Sequence, residues 1–152
     1  MTDEISVTFP GGMAVDARVG AHVIRTDQPA SLGGLDAAPA PFDLFLASIA
    51  TCAGIYALGY CRARSLSTEG LALVQRVTLD PVTKLPAHVE LRLTLPAGFP
   101  AHHRPSILRA VAGCKVKKTI GAAPTFEVSM SEPVASEPPA VADASVRDTA
   151  AP

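Results

Sequence analysis

The sequence predicts an α+β domain. Three observations carry this: short N-terminal segments that alternate apolar and polar residues, a charge-free run from Leu44 to Cys61, and two long alternating segments after it. "ISVTF" alternates and reads as a strand, "GG" at 11–12 as a hairpin-type turn, and "MAVDARV" as its return strand. "AHVIRTD" makes a third extended segment, and the Pro-, Gly- and Ala-rich residues 28–41 a loop. A helix follows over about 41–65. Pro41 suits its first turn, Asp43 its positive end, and Arg62 and Arg64 its negative end.

"GLALVQRVTLD" and "AHVELRLTLP" flank a turn with Pro81 and Pro86. Val89, Leu91, Leu93 and Leu95 fall on one face, with Glu90, Arg92 and Thr94 on the other, which predicts an antiparallel pair with one wet face. Residues 105–114 carry Ile107, Leu108, Val111 and Cys114 at helical spacing, and "TFEVSM", 125–130, reads as a last strand. Residues 1–130 form one domain, and residues 131–152 read as a Pro/Ala-rich disordered tail.

Leu44–Cys61 sits at the lower limit for crossing a bilayer. Its Ser, Thr, Gly and Ala content weakens it as a span, and the apolar strand faces need a partner. A helix apolar all round is expected as the central core helix. Gly54, Gly59 and the alanines would admit a close backbone neighbour, and a second copy of the chain is one candidate.

The chain of 152 residues is 48% hydrophobic and 18% charged, so it is long and apolar enough to bury a core without staples. A net charge of −1 argues against a nucleic-acid surface and a polybasic membrane patch. Cysteines at 52, 61 and 114 make no CxxC pair, so neither a disulfide scaffold nor a zinc site is expected. "MTDEISVTFP" has acidic residues where a signal peptide needs basic ones, which points to a reducing, cytoplasmic setting.

Cys52 and Cys61 lie nine positions apart, about half a turn after whole turns are removed, and so face opposite sides of the helix. A free cysteine usually behaves as a small buried hydrophobe, and reactivity needs a cation or a helix N-terminus. Cys52 is mid-helix and needs an arginine brought from elsewhere, with Arg18 and then Arg25 as candidates. Lys115, Lys117 and Lys118 follow Cys114 and read as a basic turn at a helix end.

"TDQPASLGGLDAAPAPFDLFLASIATC", then "GLALVQRVTLD…HVELRLTLP", then "ILRAVAGCKVKKTI" resemble, in that order, the osmotically inducible protein C / organic hydroperoxide resistance (OsmC/Ohr) family over about residues 5–130. The resemblance implies antiparallel sheets around a long central helix, in an intertwined homodimer with active sites at the interface. It implies a thiol peroxidase that needs no metal or organic cofactor. In it, Cys52 attacks a hydroperoxide and becomes a sulfenic acid, Cys114 condenses with it to a disulfide, and an external dithiol resets the pair. Arg18 or Arg25 would be the activating arginine.

Two positions depart from the pattern. The family's peroxidases hold a glutamate ten residues before the first cysteine, and Phe42 stands there. Lys115 follows Cys114 where many relatives have Pro. A pocket of Phe42, Phe45, Ile49 and Tyr56 would favour apolar peroxides. The alternative function is a non-catalytic redox-sensing or small-molecule-binding relative. A thiol hydrolase is weaker, because His22, His88, His102 and His103 give no Cys–His signature.

Overall fold

The computed structural model describes residues 4–130, and the tail expected from residue 131 lies outside the described residues. Three antiparallel strands open the chain: β1 (Ser6–Gly11), β2 (Ala14–Val19) and β3 (His22–Thr26). Val7 opposes Ala17 and Ala17 opposes Ile24, and the register shifts between Thr8 and Gly11. Gly12, at φ 57°, supplies the left-handed residue of the first turn.

The segment between β3 and the long helix is held by Asp27. Its buried carboxylate accepts the peptide N–H groups of Gln28 (2.8 Å), Leu35 (3.0 Å) and Ala37 (3.2 Å). Those bonds hold its pKa below the usual carboxylate value, the Ala37 bond most. Gly34 passes so close to Gln28 that an added Cβ would sit 1.8 Å from the Gln28 carbonyl oxygen.

Helix α1 runs Pro41–Arg62, with Pro41 in its first turn and Asp43 at its N-terminal end as expected. It ends three residues before the expected 65 because a Schellman turn closes it. Ser65 takes φ 53°, and the N–H of Leu66 donates to the Cys61 carbonyl at 3.0 Å. By length and composition α1 could cross a membrane. Here it carries the core: Ala53, Ala57, Tyr60 and Cys61 pack with Phe99, Ile107 and Val111.

β4 (Ala72–Leu79) and β5 (Pro86–Thr94) form the second antiparallel sheet, with Leu73 opposite Leu93 and Gln75 opposite Leu91. Leu91, Leu93 and Leu95 pack on the core from the face the alternation predicted. Gln75 Nε2 donates to the Leu46 carbonyl at 3.0 Å and ties this sheet to α1.

Four expectations are corrected. α1 buries one stripe rather than its whole surface: Ile55 is 64% exposed, and Phe42 and Phe45 are also exposed. The second helix, α2, spans Arg104–Ala112 and stops before Cys114, because Gly113 caps it and Cys114 is extended. A third helix, α3 (Lys115–Ala122), replaces the basic turn. Finally, residues 125–130 pair with no strand among the described residues, and Phe126, Val128 and Met130 are almost fully exposed. An alternating segment becomes a strand only beside an edge that completes its hydrogen bonds.

Candidate functional site

Cys114 lies at the junction of α2 and α3. Its backbone (φ −60°, ψ 141°) is that of an N-cap, and its Sγ accepts the N–H of Lys117 at 3.5 Å. This places the first turn of α3, with the N–H groups of Lys115 and Val116, against the flank of α1. Cys52 stands on that flank, half-buried, with its thiol toward the α3 N-terminus.

The Cys52 thiol pKa is lowered from its ordinary value. The N–H of Val116 contributes most; burial opposes it; the Cys114 side chain, the N–H of Lys115 and the charge of Lys117 also lower it. Converging N–H groups and positive charge are the conditions under which a thiol becomes a nucleophilic thiolate. Cys61 is the contrast. It is fully buried in the core, and burial alone pushes its thiol pKa up. Cys52, Cys61 and Cys114 are all free of disulfides in this structure.

The structure thus brings Cys52 and Cys114 together. Arg18 and Arg25 lie on the exposed N-terminal sheet, and neither is among the groups acting on Cys52 within the described residues. Within one chain, the groups that lower the Cys52 pKa lie at the start of α3: the N–H groups of Val116 and Lys115 and the charge of Lys117. The sequence carried a signal for them: Gly113 stops one helix, and Val116 and Ile120 restart helical spacing behind a residue able to cap.

A cavity of about 360 Å³ opens on Cys52, lined also by Phe45, Lys115, Val116, Thr119 and Ile120. Phe45 and Ile120 also line a neighbouring apolar cavity of about 380 Å³ that includes Phe42, Leu46, Ile49 and Val89. Phe42 and Phe45 stack at 5.7 Å between centroids. Three of the four residues expected around the pocket therefore border this region. Tyr56 does not; it lines a different groove with Ile55, Tyr60 and Arg64. Beside that groove the Tyr60 hydroxyl and His103 Nδ1 form a hydrogen bond of 2.8 Å, and the Arg64 guanidinium stacks over the Tyr60 ring. His103 is thereby a structural partner of the core helix.

The model of the family described as OsmC-like protein matches residues 33–129. The chain belongs to the OsmC-like family. No curated protein sequence matches it. Among solved structures, a Psychrobacter arcticus 273-4 protein named for an osmotic stress induced and detoxification response aligns with a TM-score of 0.65 and 20% identity, over 76% of this chain and 85% of that one. The organic hydroperoxide resistance protein OsmC of Legionella pneumophila aligns with a TM-score of 0.50 and 18% identity, over 77% and 87%. At such identities these likenesses establish the OsmC fold of this chain and its antiparallel α+β architecture.

Proposed function

We propose that this OsmC-like protein is a thiol-dependent peroxidase that reduces organic hydroperoxides or hydrogen peroxide. The observation that supports it is the meeting of Cys52 and Cys114 at the N-terminus of α3, where N–H groups lower the pKa of the Cys52 thiol beside an open apolar cavity.

In the first step the Cys52 thiolate attacks the terminal oxygen of ROOH. The S–O bond forms as the O–O bond breaks, and the alkoxide leaves with a proton as ROH. In the second, the Cys114 sulfur attacks the Cys52 sulfenic acid. The S–S bond forms, and hydroxide leaves with the thiol proton as water. An external dithiol then returns both cysteines to thiols by exchange and becomes a disulfide itself. Family membership and the Legionella relative, named for organic hydroperoxide resistance, support a redox role of this kind.

The functional unit in this reading is a homodimer. The sheet β1–β3 leaves Val7, Phe9, Val23 and Ile24 exposed, and Phe126, Val128 and Met130 have no strand partner among the described residues. A second copy supplies both the apolar cover and the missing edge.

One observation favours the alternative of a redox sensor without turnover: Phe42 stands where a carboxylate would orient an activating arginine. Steady-state kinetics separates the two. Reduced protein with cumene hydroperoxide and excess dithiol should consume peroxide over many turnovers, and Cys52→Ser should abolish this. Consumption that stops after one equivalent supports the sensor. Equal turnover by Cys52→Ser and the parent removes the peroxidase.

A further inference from the structure

Helix α3 is locally marginal. None of its eight residues is buried, and only Val116 and Lys117 are half-buried. A helix of that length does not hold by itself in water. Its positive end carries Lys115, Lys117 and Lys118 and no carboxylate, the unfavourable charge for a helix N-terminus. Beyond its last turn Ala123 takes φ 44°, a conformation that favours glycine. What secures the first turn is Cys114. Its Sγ accepts the Lys117 N–H at 3.5 Å, and its carbonyl accepts the Lys118 N–H at 3.1 Å.

Two features tie that turn to the cysteine pair. Cys114, which caps it, is fully buried. Cys52 shares a cavity with Lys115 and Val116, the two residues after the cap, and Thr119 and Ile120 of α3 complete that wall. Helix α3 is therefore both the wall beside the Cys52 sulfur and an element held by the Cys114 sulfur. A reductant needs a line to a disulfide sulfur. Here one sulfur is buried and the other lies in a cavity walled by α3.

We propose that α3 is a redox-operated gate, closed while Cys52 and Cys114 are thiols and loosened when they join as a disulfide. This rests on the pair being able to form that bond, as in the proposed peroxidase cycle. Disulfide geometry fixes where both sulfurs point, so Cys114 Sγ turns to Cys52 and gives up the Lys117 N–H. The cross-link restrains Cys114 alone, and the helix after it loses its cap. The loosened wall releases the alcohol and admits the dithiol, and reduction restores the cap and closes the site.

The test is hydrogen–deuterium exchange of the full-length protein, read on peptides covering residues 115–122, with the pair reduced or joined by diamide. Diamide takes both thiol hydrogens onto its N=N bond and becomes a hydrazine as the S–S bond forms. Peptide mapping without reductant confirms the Cys52–Cys114 link. Joining the pair should speed exchange in α3 about tenfold, the size of a lost N-cap, while β4 and β5 keep their rates. Cys114→Ser keeps a capping oxygen and has no thiol to join, so its α3 should stay protected with or without diamide. Cys114→Ala loses the cap outright, and its α3 should exchange as fast as that of the oxidised parent. If Cys114→Ala misfolds by circular dichroism, Cys114→Ser carries the comparison. A cross-linked parent whose α3 exchanges no faster than the reduced one overturns the gate and leaves the peroxidase standing. So does a Cys114→Ser variant whose α3 loosens with diamide as the parent's does. A pair that diamide cannot join overturns both. Diamide is not a peroxide, so loosening without peroxide turnover keeps the gate and removes only the peroxidase.

Discussion

Lys115→Pro isolates the helix contribution to Cys52. Lys115 is the first residue of α3, where proline is well tolerated because that N–H has no partner within the helix. Cys114 before it already has φ −60° and ψ 141°, the region that a residue preceding proline prefers. The backbone therefore accepts the change, and what is lost is the N–H that Lys115 directs at the Cys52 sulfur. A hydrogen bond to a charged group contributes about 1.5–3 kcal/mol when buried. Cys52 is half-exposed, so water recovers part of it, and about 0.7–1.4 kcal/mol should remain. That corresponds to a threefold to tenfold loss of thiolate at neutral pH, on the scale of about 1.4 kcal/mol per factor of ten. Lys115→Ala keeps the N–H and removes the ammonium. The assay is single-turnover oxidation of Cys52 by cumene hydroperoxide, followed by stopped flow in all three proteins. Lys115→Pro should be slowed by that factor and Lys115→Ala by less. Equal rates for Lys115→Pro and Lys115→Ala would refute activation through this N–H.

Three further outcomes follow from the geometry. Cys61, buried and with its thiol pKa raised by burial, should resist alkylation in the native protein, and Cys61→Ala should keep the parent rate of peroxide reaction. Asp27 has a folded pKa below its ordinary value, so its contribution to stability is full above the unfolded pKa and is lost as pH falls through the folded one. Limited proteolysis of the 28–37 segment should therefore accelerate in acid, and Asp27→Asn should open it at neutral pH. Gly34→Ala drives a Cβ into the Gln28 backbone and should lower stability by about 1–3 kcal/mol in urea unfolding, without moving the Cys52 alkylation profile.

Elements with strong local signals were legible in the sequence. Pro41, Asp43 and a charge-free run mark α1, and alternation marks β4 and β5, because burial of one face imposes those periods. Cys52 and Cys61 were separated correctly by helical geometry alone: one faces a cavity and the other the core. The helix α3 was hidden because three lysines in four residues resemble a solvated turn, while its helical signal is only Val116, Thr119 and Ile120 behind a cysteine cap. The segment 125–130 has the pattern of a strand, but a ladder partner is a tertiary fact that no local pattern contains. Tyr56 falls on the helical stripe of Phe45, Ile49 and Cys52 and was grouped with them. The α3 wall of the Cys52 cavity does not extend to it, and Tyr56 faces Arg64 and Tyr60 instead.

The most direct measurement is peptide mapping of the reduced protein after one equivalent of cumene hydroperoxide, digested without reductant. The expected result is a single new cross-link joining the Cys52 and Cys114 peptides, two hydrogens lighter than the pair, with Cys61 still a free thiol. A Cys52 that remains a free thiol, or that is linked to Cys61, would contradict a peroxidatic pair at the N-terminus of α3.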